Sequence, residues 1–419
     1  MITRRIFLKN SGLALVGMGA VPSFVFRTIL AAPGDSRRKK VLITVFQRGG
    51  MDGLNTVVPF GEKAYYSGRP RIAIPAPSSK QESALDLNGF FGLHPSLKAL
   101  HDLYKEQQVA IVHAAGSPNS TRSHFDAQDF MESAAPGTKN TSDGWLNRYL
   151  QHNPDPEATS FRSVAMGTTL PRSLKGEASA IALGNIDSFD LRAGSLQQQA
   201  RSAYETLYDQ ETNSLLSGTA QEMFQAIDFL KKANPSQYRP AAGVQYPQGR
   251  FSQSLRQIAQ LIKADIGLEV AFVDIGGWDH HINEGGVTGQ LSNRLRELSQ
   301  GLGALYQDLG DRMEDVLILT MSEFGRTVRE NGNAGTDHGH ANVMFALGGP
   351  VKGGRIYGQW PGLASEQLYE GRDLALTTDF RDVFAEVLVR HLGCSNTDAI
   401  FPDFQVDAKR FKGMLTSSL

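Results

Sequence analysis

Acidic and imidazole side chains are concentrated in two short stretches of this sequence, DIGGWDHH (274–281) and TDHGH (336–340). The first stretch offers Asp279 and His281 on a Gly-Gly loop, and the second offers His338 and His340. Histidine pairs also occur on solvated surfaces, but four of the ten histidines in the chain lie in these two stretches. Carboxylate oxygens and imidazole nitrogens without thiolates are the donors of zinc, manganese or calcium sites. The pattern therefore predicts one or two divalent ions, with zinc favoured.

Two further acids follow apolar segments. Asp52 stands between glycines in RGGMDG (48–53), and Glu323 follows VLILTMS (316–322). A carboxylate in such a place is a good ligand for a divalent ion. An aspartate in a turn can instead bond its own backbone, and a glutamate at a strand end can instead pair with an arginine. The histidine-rich stretches favour the metal-ligand interpretation for both acids.

A hydroxyl group stands at the predicted start of a helix, SHFDAQDFMES (123–133), between Arg122 and His124. Serine followed by an acid three residues later is a helix-capping arrangement. The same position faces the positive end of the helix dipole, where an attacking oxyanion and a bound anion are stabilised. The catalytic interpretation takes Ser123 as nucleophile with Arg122 and His124 beside it, and the capping interpretation stays open.

Continuous apolar runs predict the strands that position these residues, because a strand buried on both faces shows no polar alternation. They are Val41 to Gln47, Val109 to Ala115, Leu268 to Ile275, Val316 to Met321 and Val343 to Leu347. Segments with helical periodicity lie between them, which predicts an α/β fold with a mostly parallel central sheet and helices on both faces. The carboxyl ends of parallel strands form a ligand-binding crevice, and the candidate residues cluster around the ends of these strands.

The pattern loosens between residues 141 and 249. Two polar helical stretches, Ser195 to Asp209 and Gly218 to Lys232, precede a run rich in Pro, Gln and Tyr. This region is interpreted as a cap inserted into one domain that spans residues 38–419.

The first 32 residues predict a twin-arginine signal peptide. They contain RRIFLK (4–9), then a mild apolar stretch and a small-residue end, which a receptor reads as an address. We therefore expect the Tat translocase as a partner during export and a periplasmic or extracellular location. The formal net charge is −1 and falls to −5 without four basic residues of this segment, which argues against a nucleic-acid binder. No later apolar run approaches the roughly 20 residues of a membrane span.

Several phrases of the sequence together resemble a known bacterial family. These phrases are GGMDGLNTVVP, RSHFDAQDFMES, DIGGWDHH, MSEFGRT and TDHGHAN. They resemble the family called domain of unknown function 1501, and their order resembles the alkaline phosphatase and sulfatase superfamily. The resemblance covers nearly all of the chain after the leader, and it implies a three-layer sandwich with a two-metal site.

Carried over to this sequence, the resemblance implies that Asp52 and Glu323 hold one metal ion near the nucleophile. Asp279 and His281, with His340 or His338, would hold the other. Ser123 would attack, with Ser120 and Thr121 as lesser candidates. Arg122, Arg48 or Arg326 would bind the oxygens of a small anionic ester. The sequence departs from the superfamily at Phe324, which stands where a histidine ligand is usual.

Two functions follow from these expectations. The first is an exported, metal-dependent hydrolase of phosphate or sulfate esters with a serine nucleophile. The second is a non-catalytic periplasmic binding or assembly protein that keeps the sulfatase-like fold, with or without a metal ion. Nothing in the sequence names the substrate.

Overall fold

The computed structural model describes residues 38–79, 81–186 and 237–416. The predicted signal peptide and the two polar helical stretches of the predicted cap lie outside these ranges. The described strands are β1 (Val41–Arg48), β2 (Val57–Val58), β3 (Leu85–Asp86), β4 (Gly92–Leu93), β5 (Val109–Gly116), β6 (Ser163–Met166), β7 (Ile181–Ala182), β8 (Val270–Gly276), β9 (Val316–Met321), β10 (Asn342–Gly348), β11 (Arg355–Tyr357) and β12 (Thr378–Asp379).

Helices and short 3-10 turns connect these strands. The described α-helices are Gly53–Thr56, Lys63–Gly68, Lys98–Lys105, His124–Ser133, Trp145–His152, Arg250–Lys263, Gln290–Leu309 and Phe380–Arg390. The 3-10 helices are Pro95–Leu97, Arg172–Leu174, Gly310–Asp315, Ser365–Gln367 and Ala408–Arg410. Among the described residues, no helix has the length and apolarity needed to cross a membrane.

One large sheet organises the fold, and its strands lie in the order β11-β5-β10-β9-β1-β8-β6-β7, with β12 also paired to β5. The pairs of β1 with β8 and β9, and of β6 with β7 and β8, are parallel. Strand β10 runs antiparallel to both β5 and β9. The predicted α/β fold with a mostly parallel sheet is confirmed.

Both faces of the sheet are buried, as the apolar runs predict. In β1, Val41, Ile43 and Val45 pack into one core and Leu42 and Phe46 into the other. The first core contains the apolar faces of the helices Arg250–Lys263 and Gln290–Leu309. The second contains those of Trp145–His152 and Phe380–Arg390, where the rings of Trp145 and Phe384 stack at 4.2 Å. The result is three layers, with the sheet in the middle.

The first part of the predicted cap is instead part of the sheet. Strands β6 and β7 extend the sheet beyond β8 through parallel pairing, and the helix Trp145–His152 covers it. These strands are only four and two residues long, so they leave little apolar periodicity in the sequence. The stretch interpreted as a cap therefore contributes two strands to the sheet.

The direction of β10 decides where the second histidine-rich stretch lies. Because β10 runs opposite to its neighbours, its first residues lie at the sheet edge where β1, β5, β8 and β9 end. Residues 336–341, which precede β10, therefore reach the crevice that the carboxyl ends of the other strands form. A parallel β10 would have placed His338 at the opposite edge.

Candidate metal centre

Four side chains from three loops meet at this edge of the sheet. Candidate ligand atoms of His124, Asp279 and His338 all lie within 4.8 Å of one another. His281 joins them, since its Nε2 is 3.0 Å from Nε2 of His338 and 3.1 Å from Oδ1 of Asp279. We call these four residues the metal centre. His124 opens the helix after β5, Asp279 and His281 follow β8, and His338 precedes β10.

Each histidine of the metal centre is fixed through its Nδ1 atom. Nδ1 of His124 lies 2.8 Å from Oε1 of Glu323, and Nδ1 of His281 lies 3.0 Å from Oδ1 of Asp337. Nδ1 of His338 lies 2.8 Å from the carbonyl oxygen of Arg122. Carboxylates and carbonyls only accept hydrogen bonds, so the tautomer with its proton on Nδ1 satisfies each of these three contacts and leaves a lone pair on Nε2.

The three Nε2 lone pairs converge with a carboxylate, and this donor set fits a metal ion. Neutral imidazoles with their outer nitrogen tied to an acceptor are the usual form of metal-binding histidines. The Nε2 atom of His124 is buried and makes no hydrogen bond within the described part of the chain, although Asp279 Oδ2 lies 3.5 Å away. In a tetrahedral zinc site with bonds of 2.0–2.1 Å, neighbouring ligand atoms are about 3.3 Å apart. Four of the six ligand pairs lie 3.0 to 3.5 Å apart, with Asp279 using Oδ1 toward His281 and His338 and Oδ2 toward His124.

The charges around the metal centre favour an ionised Asp279 and a neutral His338, whereas the hydrogen bond to Glu323 raises the pKa of His124. Partial burial raises the pKa of Asp279, but the hydrogen bond and charge of Arg326, together with His338 and His281, lower it to about 2. Burial lowers the pKa of His338, so this ring is neutral at neutral pH. An ionised carboxylate and a neutral imidazole are the forms that bind cations.

Glu323 orients a ligand and does not itself face the metal centre. Its Oε1 accepts hydrogen bonds from the backbone N–H of Gly49 at 2.9 Å, from His124 at 2.8 Å and from Gln128 at 2.8 Å. Its Oε2 accepts one from Ser322 at 3.2 Å. Burial raises the pKa of Glu323, but these donors lower it below the ordinary value. The carboxylate is thus saturated by protein donors.

Asp52 is also buried away from the metal centre, in an ion pair with Arg69. Arg69 donates to both carboxylate oxygens, with Nη2 3.0 Å from Oδ1, and both side chains are at most 2% exposed. Burial raises the pKa of the neighbouring Glu284 well above its usual range, and the charge of Asp52 adds to this effect. Glu284 shares a hydrogen bond with Asp52. The predicted ligand role of Asp52 does not agree with this geometry.

His340 lies outside the metal centre as well. Its ring stacks on Tyr369 with centroids 4.3 Å apart and an interplanar angle of 21°. Only 8% of His340 is exposed. Of the two histidines in the TDHGH stretch, the structure thus brings only His338 to Asp279.

Ser123 caps the helix that His124 begins. Its Oγ accepts a long hydrogen bond of 3.5 Å from the backbone N–H of Asp126, while Thr121 Oγ1 accepts one from the N–H of Ser123 at 3.3 Å. The capping interpretation is confirmed, and it leaves the hydroxyl next to a ligand of the metal centre. The structure shows no hydrogen bond between Ser123 and His124 that would make the imidazole its base.

The three arginines expected to bind an anion are already paired with protein groups. Arg48 contacts Glu132 at 2.8 Å and Asp274 at 2.6 Å, and Arg122 contacts Glu370 at 2.6 Å and Asp373 at 2.7 Å. The buried Arg326 donates to Asp279 at 2.6 Å and to four backbone carbonyls, those of Gly49, Gly50, Trp278 and Thr336. Arg326 therefore joins the loops of the metal centre to each other.

The family of this chain follows from a match over most of its length. A family model described as "Protein of unknown function (DUF1501)" matches residues 39–401. The chain belongs to the DUF1501 family. This confirms the resemblance that the motifs carry, and all four residues of the metal centre lie inside the matched range. Among curated proteins, none matches this DUF1501 chain.

Several solved structures are similar to this DUF1501 protein at low identity. The C-terminal periplasmic domain of EcEptC from Escherichia coli, in complex with zinc, is 9% identical with a TM-score of 0.36, covering 75% of this chain and 73% of its own. The PsFucS1 sulfatase from Pseudoalteromonas sp. is 13% identical with a TM-score of 0.36, covering 84% and 67%. The phosphonate monoester hydrolase from Silicibacter pomeroyi is 10% identical with a TM-score of 0.33, covering 91% and 78%.

Sequence reasoning about this DUF1501 chain did not place His124 among the candidate metal ligands or assign an orienting role to Asp337. Both residues stand in the motifs that the sequence singles out, His124 beside the capping serine and Asp337 beside His338. The available signal was Glu323, a buried acid that needs a donor. The donor is His124, which lies 199 positions away.

Proposed function

We propose that this chain binds one divalent metal ion through His124, Asp279, His281 and His338 and hydrolyses phosphate or sulfate esters there. One observation carries the proposal: three imidazoles are anchored at Nδ1 and point their Nε2 atoms at each other and at an ionised aspartate. Without a cation, such a set of lone pairs is mutually repulsive, so the geometry supports a metal site better than a surface cluster.

The donor set favours zinc over the alternatives manganese and calcium. Three imidazoles and one carboxylate match zinc, whereas manganese and calcium prefer oxygen-rich sites. Within the described residues, one group of acidic and imidazole side chains has metal-ligand spacing, namely His124, Asp279 and His338, which His281 adjoins; Asp52 is held by Arg69. We therefore propose one ion per chain rather than two.

The residues of the metal centre also suit ester hydrolysis. A bound divalent ion supplies Lewis acidity toward an ester oxygen. The side chains of Asp279 and His281 are 45% and 40% exposed, so one side of the centre is open to a small anionic substrate. Ser123 stands at the N-terminus of a ten-residue helix, where the backbone N–H groups stabilise negative charge. Ser123 remains the proposed nucleophile.

Zinc content and turnover measured on the same preparation test this proposal. We expect about one equivalent of zinc and hydrolysis of 4-nitrophenyl phosphate or 4-nitrophenyl sulfate. His338→Ala should lose both zinc and turnover, whereas His152→Ala, which alters an exposed histidine, should retain both. Metal-free protein, or a His338→Ala variant with full zinc content, contradicts the assignment.

A non-catalytic metal-binding role is the second candidate. It is favoured by the state of Arg48, Arg122 and Arg326, whose guanidinium groups are all engaged by protein acceptors. Such arginines cannot clamp a substrate anion without giving up those contacts. One equivalent of bound zinc with no turnover on either ester would select this second role.

The export route is proposed from the leader alone. We propose that residues 1–32 direct the folded chain through the Tat translocase to the periplasm. Replacing both Arg4 and Arg5 by lysine should leave the protein in the cytoplasmic fraction. Unchanged export of that variant would contradict the proposed route.

A further inference from the structure

Glu323 shares one oxygen atom between His124 and Gln128, which stand on the same helix. Oε1 of Glu323 lies 2.8 Å from Nδ1 of His124 and 2.8 Å from Nε2 of Gln128. The two donors are four positions apart in the helix His124–Ser133, a spacing that makes side chains neighbours on one helix face. The amide of Gln128 therefore holds the carboxylate at the same atom that holds the imidazole.

The amide of Gln128 satisfies its neighbours in only one orientation. Its Oε1 accepts a hydrogen bond from Nη1 of Arg48 at 3.0 Å, while its Nε2 donates to Glu323. A guanidinium group only donates and an ionised carboxylate only accepts. An amide turned the other way would set donor against donor at Arg48 and acceptor against acceptor at Glu323. Arg48 thus selects the orientation in which Gln128 donates to Glu323.

The guanidinium group of Arg48 is itself held by three further contacts. It donates to Glu132 at 2.8 Å and to Asp274 at 2.6 Å, and its Cζ atom lies 4.3 Å from the ring centroid of Phe46. Carboxylate partners and an aromatic face together fix the plane of a guanidinium group. The donor that orients Gln128 therefore has a defined direction.

The end of β1 reaches Glu323 by two routes. Arg48 is the last residue of this strand, and the backbone N–H of the next residue, Gly49, donates to Oε1 of Glu323 at 2.9 Å. The second route passes from the side chain of Arg48 through the amide of Gln128. The sheet and the helix thus act on one carboxylate oxygen, and through it on the ring of His124.

We propose that Gln128, oriented by Arg48, is a positioning residue for the metal ligand His124. This inference rests on the proposed metal centre, and it makes Arg48 an anchor of the centre rather than a group that binds substrate oxygens. Without the amide donor, Glu323 loses one of the contacts that fix Oε1. The ring of His124 then gains freedom to turn its Nε2 atom away from Asp279, so the site binds its ion less tightly.

The zinc affinity of Gln128→Met, measured by chelator competition, tests the inference. Methionine keeps the length of the side chain and has no amide. Loss of the group behind a histidine ligand weakens metal binding about 10- to 100-fold, and Gln128 acts through that group, so we expect a smaller loss of about five- to tenfold. Arg172→Met is the matched control, because Arg172 binds Asp129 of the same helix at 3.0 Å. This control should keep the wild-type zinc affinity.

A double-mutant cycle separates positioning from a general effect on folding. Arg48→Met should weaken zinc binding in the wild-type background and should add little in the Gln128→Met background, because both changes break the same route to Glu323. Two unrelated structural effects would add. Urea unfolding of the metal-free variants reports how much stability each change costs. Gln128→Met decides the inference by itself where Arg48→Met does not fold.

The outcomes separate this inference from the proposed metal centre. Wild-type protein that binds no zinc overturns the metal centre and this inference with it. Zinc-binding wild-type protein with unchanged affinity in Gln128→Met overturns the inference alone, as does an equal loss in Arg172→Met or an additive loss in the double variant. Only binding is measured, so the absence of ester turnover affects neither conclusion.

Discussion

Glu323 holds the ring of His124 from the side opposite to Asp279. Its Oε1 atom lies 2.8 Å from Nδ1 of His124, and the same oxygen accepts from Gly49 and Gln128. The three donors fix the carboxylate, and the carboxylate fixes the imidazole. The direction of the His124 Nε2 lone pair is therefore determined by a residue at the end of β9.

Glu323→Gln should weaken zinc binding by about 10- to 100-fold, because loss of a carboxylate behind a histidine ligand has that effect. The side-chain amide of the variant would bring its own N–H donors against the N–H donors of Gly49, His124 or Gln128, and these groups repel one another. A chelator-competition titration measures the change, with exposed Glu157→Gln as the matched control. Unchanged affinity in Glu323→Gln would show that His124 is not a ligand.

Asp52→Asn should lower the free energy of unfolding by about 3–5 kcal/mol, since it leaves Arg69 buried without its counter-charge. The zinc content of the folded variant should stay at the wild-type value, because Asp52 lies outside the metal centre. Urea unfolding and metal analysis measure the two quantities. A stable Asp52→Asn protein that has lost zinc would restore Asp52 as a ligand.

Ser123 is tested by a pair of substitutions that separate capping from chemistry. Ser123→Gly keeps a good N-cap and should cost only a few tenths of a kcal/mol in stability, yet it should reduce turnover about a thousandfold or more by removing the nucleophile. Ser123→Thr keeps a hydroxyl and should retain part of the activity. If Ser123→Gly turns over esters at the wild-type rate, another group attacks.

The buried His391 should make the fold sensitive to acid. Burial lowers its pKa to about 4, against about 6.5 in the unfolded chain. Between about pH 4 and pH 6.5, the unfolded chain therefore carries a proton on His391 that the folded chain does not. The stabilisation by neutral His391 is fully present above about pH 6.5 and is lost as the pH falls toward 4. The contribution is at most about 3 kcal/mol. Urea unfolding of metal-free protein from pH 4.5 to 7.5 should show a flatter profile for His391→Gln, and identical profiles would contradict this assignment.

The strands that contain long apolar runs could be predicted from the sequence, and the direction of one strand could not. Burial on both faces removes the polar alternation in β1, β5, β9 and β10 and in the first four residues of β8, so these strands can be predicted from their apolar runs. Direction depends on how the connections pack, which composition does not record. Strands β6 and β7 were missed because they are short and take their stability from pairing with β8 and β6.

The candidate site was predicted best where its ligands share a loop. Asp279 and His281 stand two positions apart, and the structure places both in the metal centre. The structure pairs Asp52 with Arg69, which stands 17 positions away in a segment without a motif. A buried carboxylate needs a cation, and sequence alone does not tell a guanidinium from a metal ion.

The wide spacing of the ligands along the chain has a consequence for how the protein matures. Asp279 and His338 are 59 positions apart. Asp279 follows the last residue of β8, and His338 precedes the first residue of β10. A zinc finger gathers its ligands from one short segment and needs the ion to fold. For the proposed metal site, the sheet must be assembled before any coordination sphere exists, so we expect ion capture to be a late event on a finished apoprotein. We then expect the compartment in which folding ends to decide, through its free metal pool, which ion the proposed site receives.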